Sequence, residues 1–139
     1  MDKNIINAIR DNDHRTLSRT ITQIIDNKDL DSQLYQDLYP YTQKAVRIGI
    51  TGPPGAGKST LIDQFIKLAL DNDKSVGVVA VDPTSPFTGG ALLGDRVRMN
   101  KFTWNNNVFI RSMGTHGDLG GLAKKAQDVG DILAVSGKD

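Results

Sequence analysis

The chain has 139 residues, 38% of them apolar, and a formal net charge of +1, so one folded domain is the expectation. That balance excludes intrinsic disorder and gives no charge-driven reason to expect nucleic-acid or acidic-membrane binding. It holds no cysteine, which excludes a disulfide scaffold, a zinc–thiolate centre and a cysteine nucleophile within these residues. No apolar run approaches the roughly 18 residues of a membrane span, and Met1-Asp2-Lys3 does not open a signal peptide, so a cytoplasmic location is expected. All sixteen acidic residues are Asp, so any chemistry that needs a glutamate must be supplied by other residues. Every glycine lies at or beyond Gly49, which divides the chain into a glycine-free helical part and a glycine-rich part of strands and loops.

Residues 1–44 read as an N-terminal extension of three short amphipathic helices. Ile5, Ile6 and Ile9 mark the first, and Leu17, Ile21, Ile24 and Ile25 the second. Leu34 and Leu38 mark a third that stops before Pro40. A cap packed on the main domain and a partner-binding arm both fit this pattern.

Residues 45–139 read as a nucleotide-binding domain of strand–helix–strand–helix–strand–helix order, which implies a three-stranded parallel sheet in an α/β fold. Ala45 to Ile50 is the first predicted strand. Lys58 to Leu70 is a helix expected to bury Leu61, Ile62, Phe65, Ile66 and Leu68. Ser75 to Val81 is a nearly continuous apolar run of the kind buried on both faces of a sheet. Residues 83–94 hold two prolines and three glycines, a long loop of the kind that compact domains keep for function. A short helix is expected from Asp95 to Phe102, a third strand at Val108-Phe109-Ile110, and a last helix to about Val135 with Gly137 as its C′ residue.

The segment Gly52-Pro-Pro-Gly-Ala-Gly-Lys-Ser59 fits G-x-x-x-x-G-K-[ST] and lies between a predicted strand and a predicted helix, the setting of a P-loop NTPase. Pro54, Gly55, Ala56, Gly57, Lys58, Ser59 and Thr60 are therefore the candidate nucleotide-binding residues. Gly55 and Gly57 free the backbone to wrap a phosphate, and the helix N-terminus faces it with partial positive charge. Lys58 is the candidate catalytic group, bringing a full charge to the β- and γ-phosphates. The Ser59 hydroxyl suits Mg²⁺, and Thr60 suits the α-phosphate. Asp82 closes the second strand at the edge where open α/β sheets place their ligands, either as a metal ligand or as a turn former before Pro83. Asp95, after Gly94, suits a metal ligand, an N-cap, or both. Arg96 and Arg98 read as helix-face charges, His116 as a solvated loop residue, Asp118 as a turn or cap residue, and Trp104 as a packing residue beside a turn.

The run Val81-Asp-Pro-Thr-Ser-Pro-Phe-Thr-Gly-Gly-Ala-Leu-Leu-Gly-Asp-Arg-Val-Arg-Met99 resembles the signature of the methylmalonyl-CoA mutase-associated G proteins, also catalogued as ArgK-type or lysine/arginine/ornithine transport ATPases. Phe109-Ile-Arg-Ser-Met-Gly-Thr-His-Gly-Asp-Leu-Gly-Gly-Leu-Ala123 resembles a second block of that family, and the N-terminal helices fit its extension. The resemblance implies GTP as ligand, Mg²⁺ held by Ser59, Asp82 and Asp95, and residues 83–95 as a switch loop. It also implies a cobalamin-dependent acyl-CoA mutase as partner, and homodimerisation through a C-terminal arm. The chain departs from the family pattern in lacking the Glu-Thr-Val-Gly-Val-Gly-Gln switch and the Asn-Lys-x-Asp guanine reader. On this reading it corresponds to the family's N-terminal portion, with an incomplete sheet and no dimerisation arm. Two alternatives stay open: a nucleotide-binding fragment that does not hydrolyse, and an ATP-dependent small-molecule phosphotransferase.

Overall fold

A computed structural model describes residues 3–26, 32–42, 44–82, 100–114 and 119–139. The chain opens with α1 (Lys3–Arg10), α2 (His14–Ile25) and α3 (Ser32–Leu38), the last running into a 3-10 turn at Tyr39–Tyr41 around Pro40. Asn12 turns the corner between α1 and α2 with φ 59°. Asp13 caps α2, its carboxylate accepting from the backbone N–H of Arg15 at 2.9 Å and of Thr16 at 3.4 Å. Those hydrogen bonds hold the Asp13 carboxyl below its ordinary pKa.

The remaining elements are α4 (Lys58–Asp71), β1 (Val76–Asp82), a 3-10 turn at Asn100–Phe102, β2 (Val108–Gly114) and α5 (Leu119–Val135). β1 and β2 pair in parallel, from Val76 opposite Val108 to Asp82 opposite Gly114. Helix α5 ends in a Schellman motif, in which Lys138 N–H donates to Leu133 O and Gly137 N–H to Ala134 O. Gly137 at φ 85° supplies the left-handed residue this closure needs, at the expected C′ position.

The main core lies between α1–α3 and the β2–α5 layer. Ile9, Leu17, Ile21, Leu34 and Leu38 from the three helices pack in one cluster with Phe109, Met113, Val129 and Ile132. The amphipathic stripes read from the sequence therefore face the sheet and α5, and not merely one another.

Helix α5 also closes on β1. A Cβ at Gly77 would lie 2.8 Å from Leu133 Cδ1 and 3.3 Å from Leu133 Cβ, so the two elements approach as far as a bare backbone allows. Gly77→Ala is expected to push α5 off β1, at a cost of about 1–3 kcal/mol as in other overpacked cores. A fall in Tm of several degrees checks this; an unchanged Tm contradicts the close approach.

The structure corrects three expectations. The sheet has two described strands, not three. Residues 46–50 form no strand and pair with none among the described residues, because a strand is a property of a neighbour as well as of its own sequence. Val46 is 76% exposed and Ile48 57%. On α4 only Ile66 is buried, while Leu61, Phe65 and Leu68 stay exposed, because no described element covers that stripe. Trp104 is 93% exposed, so the expected packing is not found among the described residues. The expected loop at 83–94 and most of the expected 95–102 helix lie outside the described residues.

Candidate functional site

Residues 51–57 connect the 46–50 segment to α4 as a loop. Gly55 has φ 77° and Gly57 φ 90°, the left-handed region that side chains avoid, and a Cβ at either would meet nothing within 4 Å. Glycine is thus required there by backbone conformation rather than by space. Ala56 N–H donates to Pro53 O at 3.3 Å, tightening the turn. Gly57 is the N-cap of α4 and offers no capping side chain, while its carbonyl accepts from Leu61 N–H at 3.0 Å. Backbone N–H groups of a first helical turn lack intrahelical acceptors, so the fourteen-residue α4 directs its partial positive charge into this loop.

Lys58 folds back over the loop. Its Nζ donates to Gly52 O at 2.5 Å and to Pro53 O at 2.9 Å. The ammonium is thereby held beside the curved backbone, where a phosphate would meet both. Ser59 follows in the first turn of α4, half-buried, and Thr60 is exposed beside it. Pro54, Gly55, Ala56, Gly57, Lys58, Ser59 and Thr60 are thus brought together on one loop and one helical turn.

Asp82 is the last residue of β1, in register with Gly114 at the C-terminal edge of the sheet. Asp95, Arg96, Arg98, His116 and Asp118 lie outside the described residues, so the Ser59–Asp82–Asp95 constellation is represented by its first two members. Among the described residues no three His or Asp side chains gather as a metal site.

Sequence reasoning missed a polar junction that ties the N-terminal helices to the chain's last residues. Asn12 Nδ2 donates to Asn106 O at 2.8 Å, and His14 Nε2 lies 3.2 Å from the same oxygen. The His14 ring meets Phe109 edge-on at 5.3 Å. Lys138, buried at 5% exposure, donates its Nζ to Asn12 Oδ1. A lysine next to a C-cap carries no sequence signal of burial, and only the Schellman closure turns it inward. Burial lowers the Lys138 ammonium from 10.5 to about 8, and burial together with the Lys138 charge lowers His14. Between pH 8 and 10.5 the unfolded chain therefore holds a proton that the folded chain has released, so stability from this group rises with pH. The stability of the native chain relative to Lys138→Met is expected to rise over that window in thermal melts; a flat difference contradicts it.

A glycine loop with two left-handed residues at the head of a helix, an invading lysine and a hydroxyl residue behind it, beside parallel strands, define a P-loop nucleotide-binding protein. Residues 17–139 match the family model described as methylmalonyl Co-A mutase-associated GTPase MeaB, and the chain belongs to that family. A Pyrococcus abyssi protein named as a GTPase is 49% identical over 135 residues, covering 97% of this chain and 42% of that protein. GTPase ArgK of Escherichia coli is 36% identical over 138 residues, covering 96% of this chain and 42% of that protein. The mitochondrial methylmalonic aciduria type A homolog of Mus musculus is 38% identical over 114 residues, 81% of this chain and 28% of that protein. The chain thus spans less than half the length of these curated relatives. Among the described residues no helix is long and apolar enough to cross a membrane.

Proposed function

We propose that this chain forms the phosphate-binding part of a Mg²⁺-dependent GTP switch that serves a cobalamin-dependent acyl-CoA mutase. The observation that carries the reading is the loop with Gly55 and Gly57 in left-handed conformation at the head of α4, closed over by Lys58. Family membership supports guanine over adenine and the mutase as partner, and a cytoplasmic setting goes with the same reading. The division into a helical extension (1–44) and a partial G domain (45–139) belongs to this proposal too.

The roles follow from the residue chemistry. The backbone N–H groups of residues 54–60 wrap the phosphates, and Lys58 neutralises charge on the β- and γ-phosphates. Ser59 and the carboxylates of Asp82 and Asp95 would hold Mg²⁺, which would supply positive charge to offset that of the phosphates. Residues 83–95 serve as the switch segment that responds to the γ-phosphate. Catalysis of this kind is positioning and charge stabilisation, so Lys58 contributes by holding the γ-phosphate and not by proton transfer.

One sequence observation favours a second reading, in which the chain by itself binds GTP without turning it over. It contains no glutamate and no Asn-Lys-x-Asp run, so both the water-organising carboxylate and the guanine reader of the family are missing from these residues. Phosphate release from GTP and from ATP by the purified chain separates the readings. GTP-selective release supports the switch, and binding without release supports the second reading. Transfer of phosphate to a small acceptor would overturn both in favour of a phosphotransferase.

A further inference from the structure

We infer that Asp63 on α4 is a positioning residue for the γ-phosphate response, acting through its ion pair with Lys101. The pair fixes the chain just beyond the switch segment to the helical face that carries Ser59. The inference rests on the reading of the glycine loop as a phosphate site and of residues 83–95 as the switch segment.

Lys101 Nζ lies 3.1 Å from Asp63 Oδ2. Fully exposed pairs contribute little, because both ions stay hydrated. This pair differs on its acidic side. The Asp63 side chain is 17% exposed, and its Oδ1 is shut off from solvent with no hydrogen-bond partner. A carboxylate taken that far out of water is costly unless a cation compensates it. Among the described residues the cation that pairs with it is Lys101. Lys101 Nζ also sits 5.0 Å from the centre of the Phe102 ring, a second attraction that holds the ammonium near its own turn.

Both partners stand on well-braced supports. Lys101 belongs to the 3-10 turn at Asn100–Phe102, and hydrogen bonds carry that turn into the sheet. Asn105 N–H donates to Phe102 O at 3.0 Å, Val108 N–H to Asn105 O at 3.0 Å, and Val76 N–H to Asn107 O at 2.7 Å. Asp63 stands four residues after Ser59 on α4, so the two share a face, about 6 Å apart along the helix axis. A helical side chain covers the turn N-terminal to its own Cα, which directs Asp63 toward the turn of Ser59.

In sequence, residues 83–95 lie between Asp82, which closes β1 opposite Gly114, and the turn that carries Lys101. One end of the switch segment therefore follows directly from the sheet, and Lys101 comes six residues after its other end. A segment that answers to the γ-phosphate needs a fixed end against which to move. Asp63 supplies it, one helical turn from the hydroxyl proposed for Mg²⁺.

Nucleotide titrations separate this role from a merely structural one. Dissociation constants of Mg²⁺-GDP and of a Mg²⁺-GTP analogue with a β–γ imide bridge are measured for the native chain, Asp63→Asn, Lys101→Met and Lys101→Arg. Their ratio reports the γ-phosphate, with GDP as the internal reference for the loop and the fold. Asp63→Asn and Lys101→Met are each expected to weaken the analogue by about 5-fold or more relative to GDP, within the usual range of coupling between sites. The double variant is expected to lose no more than either single one, since both break the same pair. Lys101→Arg, which keeps the charge, is expected to keep the native ratio. A ratio unchanged in both charge-removing variants overturns the inference and leaves the nucleotide-binding reading standing. An equal loss for both nucleotides, the mark of a structural pair, overturns it in the same way. A native chain that binds neither nucleotide overturns the functional reading, and this inference with it.

Discussion

Lys58→Ala is expected to lower the affinity for Mg²⁺-GTP by about 100-fold or more while leaving the melting temperature within a degree or so of the native chain. Hydrogen bonds to charged groups contribute about 1.5–3 kcal/mol each, so an ammonium placed to meet the β- and γ-phosphates, as proposed, puts about 3–6 kcal/mol of binding at stake. The fold does not depend on it. Its present partners are two carbonyls of its own loop, Gly52 O and Pro53 O, both exposed to solvent and able to hydrogen-bond water instead. Isothermal titration of both proteins checks the affinity, and a thermal melt checks the fold. A variant that binds Mg²⁺-GTP as tightly as the native chain removes Lys58 from the site.

Ile21→Ala is expected to destabilise the whole chain by about 2–5 kcal/mol, the cost of deleting a fully buried aliphatic side chain and leaving a cavity. Ile21 is 0% exposed on α2 and belongs to the cluster that also contains Phe109 and Met113 of β2 and Val129 and Ile132 of α5. The loss should therefore appear in one cooperative transition, seen alike by helix signal and by protection of the β1–β2 ladder. Arg111 adds to the same junction, its Nη2 donating to Thr22 Oγ1 at 2.9 Å, as does Lys125 Nζ donating to Ile25 O at 2.8 Å. If α1–α3 were a detachable arm, Ile21→Ala would melt the helices early and leave the sheet transition where it was. That second pattern contradicts the shared core.

Much of this was legible in the sequence where a local rule decides. The Gly55 and Gly57 conformations, the helix that starts at Lys58, and the Gly137 closure each depend on a few adjacent residues. The stripes of Ile9, Leu17, Ile21 and Leu38 follow from helical period, and burial bears them out. What was not legible depends on partners distant in sequence. Val46, Ile48 and Ile50 have strand composition, yet pairing needs a neighbour that local sequence does not reveal. Leu61, Phe65 and Leu68 trace an apolar face on α4 by the same period that placed Ile21, but period reports a preference for burial and not whether a cover exists. Lys138 is the converse, a charged residue drawn inward because the C-cap turn aims it at Asn12. Asp82 was placed at the sheet edge by the length of its apolar run, and β1 ends there.

The phosphate loop is anchored differently at its two ends. The loop is suspended between α4, which is well formed, and 46–50, which is held at one end by Val46 and at Arg47 by an ion pair to Asp131 on α5.

The proposed function stands on the binding of a nucleoside triphosphate by the loop at the head of α4. Isothermal titration of the purified 139-residue chain with GTP, with and without Mg²⁺, tests it most directly. Saturable one-to-one binding that strengthens with Mg²⁺ and is lost in Lys58→Ala is the expected result. Absence of saturable binding, or binding indifferent to Lys58, would contradict it.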